Sequence, residues 1–188
     1  KFSDPRLRPF MILWACFFFV FISLNVVTAF YIRERFGITD PQQVAQIAAR
    51  ALIAMAAVIV TMQIGVFQIF KPSPAVLLRL FGPFFVIALL TIALAPNLTI
   101  MTIGYGMIGF GFAFATPGIN GGASLAMEPH EQGAAAGYLS AATTVGPIFG
   151  PIAGLAMFTL GPTVPFLTGA AMFVALSLYT FTVRVPKP

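Results

Sequence analysis

PFMILWACFFFVFISLNVVTAFYI, residues 9–32, runs without a charged side chain. Wound as a helix with a rise of about 1.5 Å per residue, it reaches ~36 Å, enough to cross a hydrocarbon layer ~30 Å thick. Five further apolar runs follow at about 44–70, 76–95, 98–127, 133–160 and 164–183, leaving no length for a soluble domain. The expected fold is an all-α membrane protein in which residues 1–188 form one bundle of six transmembrane helices. Runs this long lack the strict alternation of a membrane strand, so helices are preferred over a barrel.

Composition points the same way. Of the 188 residues 59% are hydrophobic and 8% charged, against about 25% charged in an ordinary soluble domain. A water-soluble globule is excluded by that comparison. The net charge of +5 comes from basic residues standing singly between apolar runs, not from a stripe that could follow a nucleic acid. Sidedness accounts for them better. With six spans both chain ends share one side, which collects Lys1, Arg6, Arg8, Lys71, Arg79, Arg184 and Lys187 and leaves Arg33, Arg35 and Arg50 opposite. Basic loops stay in the cytoplasm, so both ends are expected there. The chain opens at Lys1 with an apolar run longer than a signal-peptide core, and reads as an internal piece of a longer polypeptide.

The breaks between runs carry turn and helix-start chemistry. Asp40-Pro41-Gln42-Gln43 offers an N-cap, a proline at the first helical position and a glutamine at the third. Ala95-Pro96-Asn97 and Gly161-Pro162-Thr163 are tight turns, so the third and fourth spans, and the fifth and sixth, should form close hairpins.

Glycine patterning singles out two spans. In the fifth, Gly146, Gly150 and Gly154 fall at four-residue steps on one helix face, which lets another backbone approach closely. Pro147 and Pro151 each lack an amide hydrogen, freeing the carbonyls of Thr143 and Pro147, so a bend is expected there. In the fourth span Gly104, Gly111 and Gly118 recur at seven-residue steps, with Ala115 and Gly122 filling the same face. Such faces suit packing inside the bundle or against a second bundle.

Catalytic chemistry finds no footing. The single histidine and single cysteine, His130 and Cys16, lie in separate regions, and Cys16 sits inside an apolar run. Gly104-x-Gly106-x-x-Gly109 has a dinucleotide-binding spelling but no preceding strand. No enzyme, metal site or cofactor is implied. His130 with Glu128 and Glu131 reads as a solvated loop, and Trp14 with Phe17, Phe18, Phe19 and Phe21 as a lipid-facing cluster.

Polar side chains within the runs are the candidates for solute contact, since a few placed groups on apolar walls set orientation. Asn25, Gln63 and Asn120 are such groups; each can equally make an interhelical hydrogen bond worth about 0.6–2 kcal/mol. Arg50 lies roughly 30 Å from Phe70 along the second span, where it can line a cavity or snorkel to the far interface. The carboxylates Asp4, Glu34, Asp40, Glu128 and Glu131 all fall outside the apolar runs, so a buried proton carrier is missing from this segment.

Six spans with both ends inside, the loop Tyr31-Ile-Arg-Glu-Arg-Phe-Gly-Ile-Thr-Asp40, and Glu128-Pro-His-Glu-Gln-Gly133 before a Gly-Pro-rich span together resemble one half of a major facilitator superfamily transporter. The likeness covers essentially the whole chain and is greatest to the drug:proton antiporters, the tetracycline- and bicyclomycin-type exporters. Their signature runs Gly, eight residues, Gly, three residues, Gly-Pro, two residues, Gly-Gly. Gly137, Gly146, Gly150, Pro151 and Gly154 match it, and Leu155 replaces the last glycine. The loop between the second and third spans, from Gly65 through Lys71 to Arg79, lacks the aspartate of the first-half motif Gly-x-x-x-Asp-Arg-x-Gly-Arg. With Asp4-Pro-Arg-Leu-Arg8 at its start, the segment resembles the C-terminal half.

The resemblance implies part of a secondary active transporter that moves a small organic solute or drug by alternating access, as proton-coupled efflux across a bacterial inner membrane. Its partners would be membrane lipid, the solute and an N-terminal six-helix half, in the same polypeptide or a separate chain, with no nucleic acid. Asn25, Arg50, Gln63 and Asn120 would line the cavity; Gly137, Gly146, Pro147, Gly150, Pro151 and Gly154 would set helix curvature. The reading from another class is a transporter-like bundle serving as a membrane scaffold or assembly subunit.

Overall fold

A computed structural model describes residues 4–183, 185 and 186 of the chain. They are all-helical, with no strand among the described residues. Helix α1 spans Arg8–Phe36 and ends where Gly37 takes φ of 68°, a left-handed turn that a residue with a Cβ adopts at a cost. It outruns the apolar stretch by a turn because Arg33, Glu34 and Arg35 remain helical. Helix α2, Pro41–Val60, starts as expected: the Asp40 carboxylate accepts from the amides of Gln42 and Gln43, with Pro41 first in the helix. A π-helical turn, Thr61–Val66, follows and leads into the short α3, Phe67–Phe70.

Ser73 precedes α4, Pro74–Ala93, and Asn97 caps α5, Leu98–Ala126, by accepting the amide of Ile100 at 3.0 Å. After a single 3-10 turn, Pro129–Glu131, the fifth apolar run forms two helices, α6 (Gln132–Thr143) and α7 (Val145–Phe158). The interruption falls at Thr144 because Pro147 has no hydrogen to give the Thr143 carbonyl. Pro151, by contrast, lies inside the continuous α7. Helix α8, Val164–Thr180, closes the chain.

Five of these helical stretches are long and apolar enough to cross a membrane: Arg8–Phe36, Pro41–Phe70, Pro74–Ala93, Leu98–Ala126 and Pro129–Phe158. Helix α8 has 17 residues, short of the ~20 that a full span needs. The outer surface is apolar too, with Ile53, Ile64, Ile152 and Leu160 all exposed. A protein bathed in water rarely presents so continuous an apolar exterior.

Helix α1 packs on α6 and α7, while α5 lies between α2 and α4, and α8 covers α4. Glycines set the spacing. A Cβ placed on Gly146 would fall 2.5 Å from the Phe18 carbonyl oxygen, and one on Gly154 2.5 Å from that of Ser23, so α7 rests on the backbone of α1. On α5, Gly104, Gly111 and Gly118 meet Ile92, Phe85 and Leu78 of α4. Gly122, expected on that same face, instead touches Phe10 of α1.

The aromatic core corrects the expectation of a lipid-facing cluster. Phe17 is fully buried, with its ring 5.1 Å from Phe85, 5.3 Å from Phe112 and 6.0 Å from Phe173. Trp14 is 5% exposed. Helix α1 is apolar on every side, so periodicity could not choose which face turns inward. Contact with five other helices, α2, α5, α6, α7 and α8, makes α1 a central rod, not a peripheral one.

One end of the bundle gathers Arg6, Arg79 and the described chain ends. Arg6 bonds both Asp4 and Glu131, at 2.9 and 3.1 Å, and Arg79 lies over the Phe181 ring. The side-chain hydrogen bond from Arg6 holds the Asp4 carboxyl down at about 2. Pro5 and Arg6 share a small cleft with Thr182 and Val183. Lys1, Arg184 and Lys187, assigned to this end by the charge count, lie outside the described residues. At the other end Tyr31 donates to the Ile92 carbonyl at 2.6 Å, near the close of α4, and Phe30 meets Phe158.

Candidate functional site

Three helices enclose a groove of ≈ 630 Å³. Its wall is built from one-turn steps: Trp14 and Phe18 on α1, Phe112, Thr116, Asn120 and Ser124 on α5, and Gln132, Ala136 and Ser140 on α6. Spacing by four residues keeps each set on one helix face. The α5 set is a polar stripe on an otherwise apolar helix, flanked by Phe112, and among the described residues no charged side chain lines the groove. Small residues, Ala123, Ala135 and Ala136, leave the room.

Trp14 and Asn120 are joined across the floor. The indole Nε1–H donates to Asn120 Oδ1 at 2.8 Å. Thr116 and Thr143 turn their hydroxyl hydrogens onto main-chain oxygens, of Phe112 at 3.3 Å and Ser140 at 2.7 Å. Their hydroxyls thereby face the groove as acceptors. Phe17 backs the Trp14 ring edge-on at 5.2 Å. The site's aromatic wall is thus continuous with the buried core.

The four polar residues singled out in the sequence are not brought together. Asn120 lines the groove. Asn25 satisfies itself locally, donating to the Phe21 carbonyl one turn back at 2.8 Å. Arg50 lies on the exposed side of α2, beside a shallow cleft with Ile47, Leu98, Thr99 and Thr102. Gln63 sits exposed on the π-helical turn. Of the signature-like glycines, Gly146, Gly150 and Gly154 are buried against Phe18, Ile22 and Ser23. Gly137 differs from them: a Cβ there would have nothing within 4 Å. Pro147 is exposed and Pro151 half-buried.

Sequence reading missed Thr116, Ser124, Gln132 and Ser140 as wall residues, although the Phe112-Thr116-Asn120-Ser124 step was there to find. It also missed a buried pair between α1 and α5, in which the Thr28 and Tyr105 hydroxyls hydrogen-bond each other. Thr28 passes its own hydrogen to the Leu24 carbonyl as well, at 2.8 Å. A threonine and a tyrosine inside apolar runs were the only signal. A second groove, of ≈ 710 Å³, runs between Arg8, Met11 and Ala15 of α1 and Ala141, Thr144 and Val145. Its described lining carries polar side chains at Arg8 and Thr144, fewer than the first groove, which makes it the weaker candidate.

Glu128 and His130 are exposed, 3.5 Å apart, whereas Glu131 belongs to the Arg6 bridge. No family model matches the chain, and no curated protein matches it.

Proposed function

We infer that this chain is the C-terminal six-helix half of a secondary transporter of the major facilitator type, exporting a small organic solute in exchange for protons. The observation that carries the reading is the ≈ 630 Å³ groove, where a polar stripe on α5 faces aromatic side chains of α1, the two helices meeting at Gly122 and Phe10. Alternating access needs such a site on one half and a partner half to rock against it. The glycine contacts of Gly146, Gly150 and Gly154 on α1 keep α7 stiffly seated while the bundle moves as a body. The proton carrier belongs to the N-terminal half, since the carboxylates here lie outside the apolar runs. The basic end holding Arg6 and Arg79 is the cytoplasmic one, in a bacterial inner membrane.

The full-length protein in proteoliposomes is expected to drive saturable movement of a small aromatic solute when a proton gradient is imposed, and to stop when a protonophore collapses it. Asn120→Ala should reduce that flux at least tenfold. Movement no faster than in protein-free vesicles, across a panel of such solutes, would contradict the reading. It would favour the second one, a transporter-like scaffold, for which the missing intramembrane carboxylate speaks.

A further inference from the structure

We propose that the groove between α1, α5 and α6 selects an uncharged aromatic solute carrying a carbonyl-type acceptor oxygen, received by the Asn120 amide that Trp14 holds in orientation. This deepens the transport reading and rests on the groove being a solute site.

An indole nitrogen can only donate, so its 2.8 Å bond fixes which end of the Asn120 amide faces Trp14: the oxygen. The amide nitrogen then presents its two hydrogens elsewhere along the groove that Asn120 lines. Trp14 is itself held, 5% exposed, with Phe17 and Phe18 both 5.2 Å from its ring. Asn120 is therefore a donor of fixed direction. The hydroxyl hydrogens of Thr116 and Thr143 are committed to main-chain oxygens, and Ser124, Ser140 and Gln132 bring donors free to turn, so the Asn120 amide is the wall donor whose direction a partner fixes.

Charge decides the rest. Among the described residues no acidic or basic side chain lines the groove. A cation would meet the Asn120 N–H hydrogens and neutral hydroxyl oxygens, with no carboxylate among the described lining residues to compensate its charge, and the covered Trp14 ring is not free to serve as a cation–π platform. A carboxylate would find donors but no positive charge, in apolar surroundings where an unpaired ion is costly to desolvate. A neutral oxygen acceptor on an aromatic body satisfies both the amide and the Phe18 and Phe112 walls.

The test uses three shape-matched probes, biphenyl-4-carboxamide, biphenyl-4-carboxamidinium and biphenyl-4-carboxylate, in equilibrium dialysis against the detergent-purified full-length protein. The carboxamide is expected to bind saturably and at least tenfold more tightly than either ion. Asn120→Asp turns the donor into an anionic acceptor, so it should lose the carboxamide at least tenfold and gain the amidinium. That gain is a result no misfolded protein produces. Trp14→Phe, which frees the amide to rotate, should weaken the carboxamide several-fold without admitting either ion. Binding of an ion as tightly as the carboxamide, binding of none of the three, or an Asn120→Asp variant that keeps the carboxamide would each overturn the proposal. Correct charge order without solute flux in proteoliposomes would uphold this inference and sink the transporter reading; flux of another solute with no carboxamide binding would do the reverse.

Discussion

Phe17→Ala is expected to destabilise the bundle by about 3 kcal/mol, the low end of the roughly 3–5 kcal/mol that such a truncation costs in a water-soluble core. The lower figure follows from the solvent. In lipid the transfer part of the cost shrinks, because the unfolded reference is also apolar, and the lost packing contacts and the cavity remain. Phe17 is fully buried and its ring meets those of Trp14, Phe85, Phe112 and Phe173, so no single neighbour can collapse into the space. Phe17→Leu should cost less, under about 1.5 kcal/mol if the neighbours repack. Ile152→Ala, at a position 72% exposed, is the control and should change little. Denaturant titration in mixed micelles reads all three. A near-zero effect for Phe17→Ala would return that side chain to the lipid face.

Gly154→Val is the second large effect. Its new Cβ would fall 2.5 Å from the Ser23 carbonyl oxygen, and a backbone atom cannot swing aside as a side chain can. Helices α1 and α7 must separate, a distortion expected to cost about 1–3 kcal/mol. Replacing a mid-helix glycine returns no more than about 0.5–1 kcal/mol in conformational entropy, too little to offset the clash. Gly137→Ala supplies the contrast, since nothing lies within 4 Å of its Cβ position. That variant should unfold at the same midpoint as the parent or slightly higher. If Gly154→Val melted like Gly137→Ala, the close approach of α7 to α1 would be wrong.

Much of this architecture was readable because its punctuation is chemical. Asp40-Pro41 marks a helix start by the same physics in the sequence and in the fold, where the carboxylate does accept the amides of Gln42 and Gln43. The glycine steps at Gly146, Gly150 and Gly154 announced a close neighbour, but not that the neighbour was α1. That limit is physical. A helix apolar on all sides carries no moment to say which way it turns, so Phe17 and Trp14 were read as facing outward. The groove was half visible. Asn120 was found as an isolated polar residue, while its step partners Thr116 and Ser124 passed as ordinary helix residues, and the Trp14 bond that orients it spans 106 positions of sequence. Asn25 shows the converse: polarity inside an apolar run does not distinguish a side chain bonded to its own helix from one facing a solute.

The account stands on the chain crossing the bilayer six times with its ends together, which cysteine accessibility in sealed inside-out and right-side-out vesicles measures directly. On a cysteine-free background, single cysteines at Ser73 and Glu128 should react with a membrane-impermeant maleimide only in inside-out vesicles, and those at Thr39, Asn97 and Pro162 only in right-side-out ones. Two successive loops labelled from the same side, or the Pro162 site labelled with Glu128, would mean an unspanned helix and contradict the six-helix transporter half.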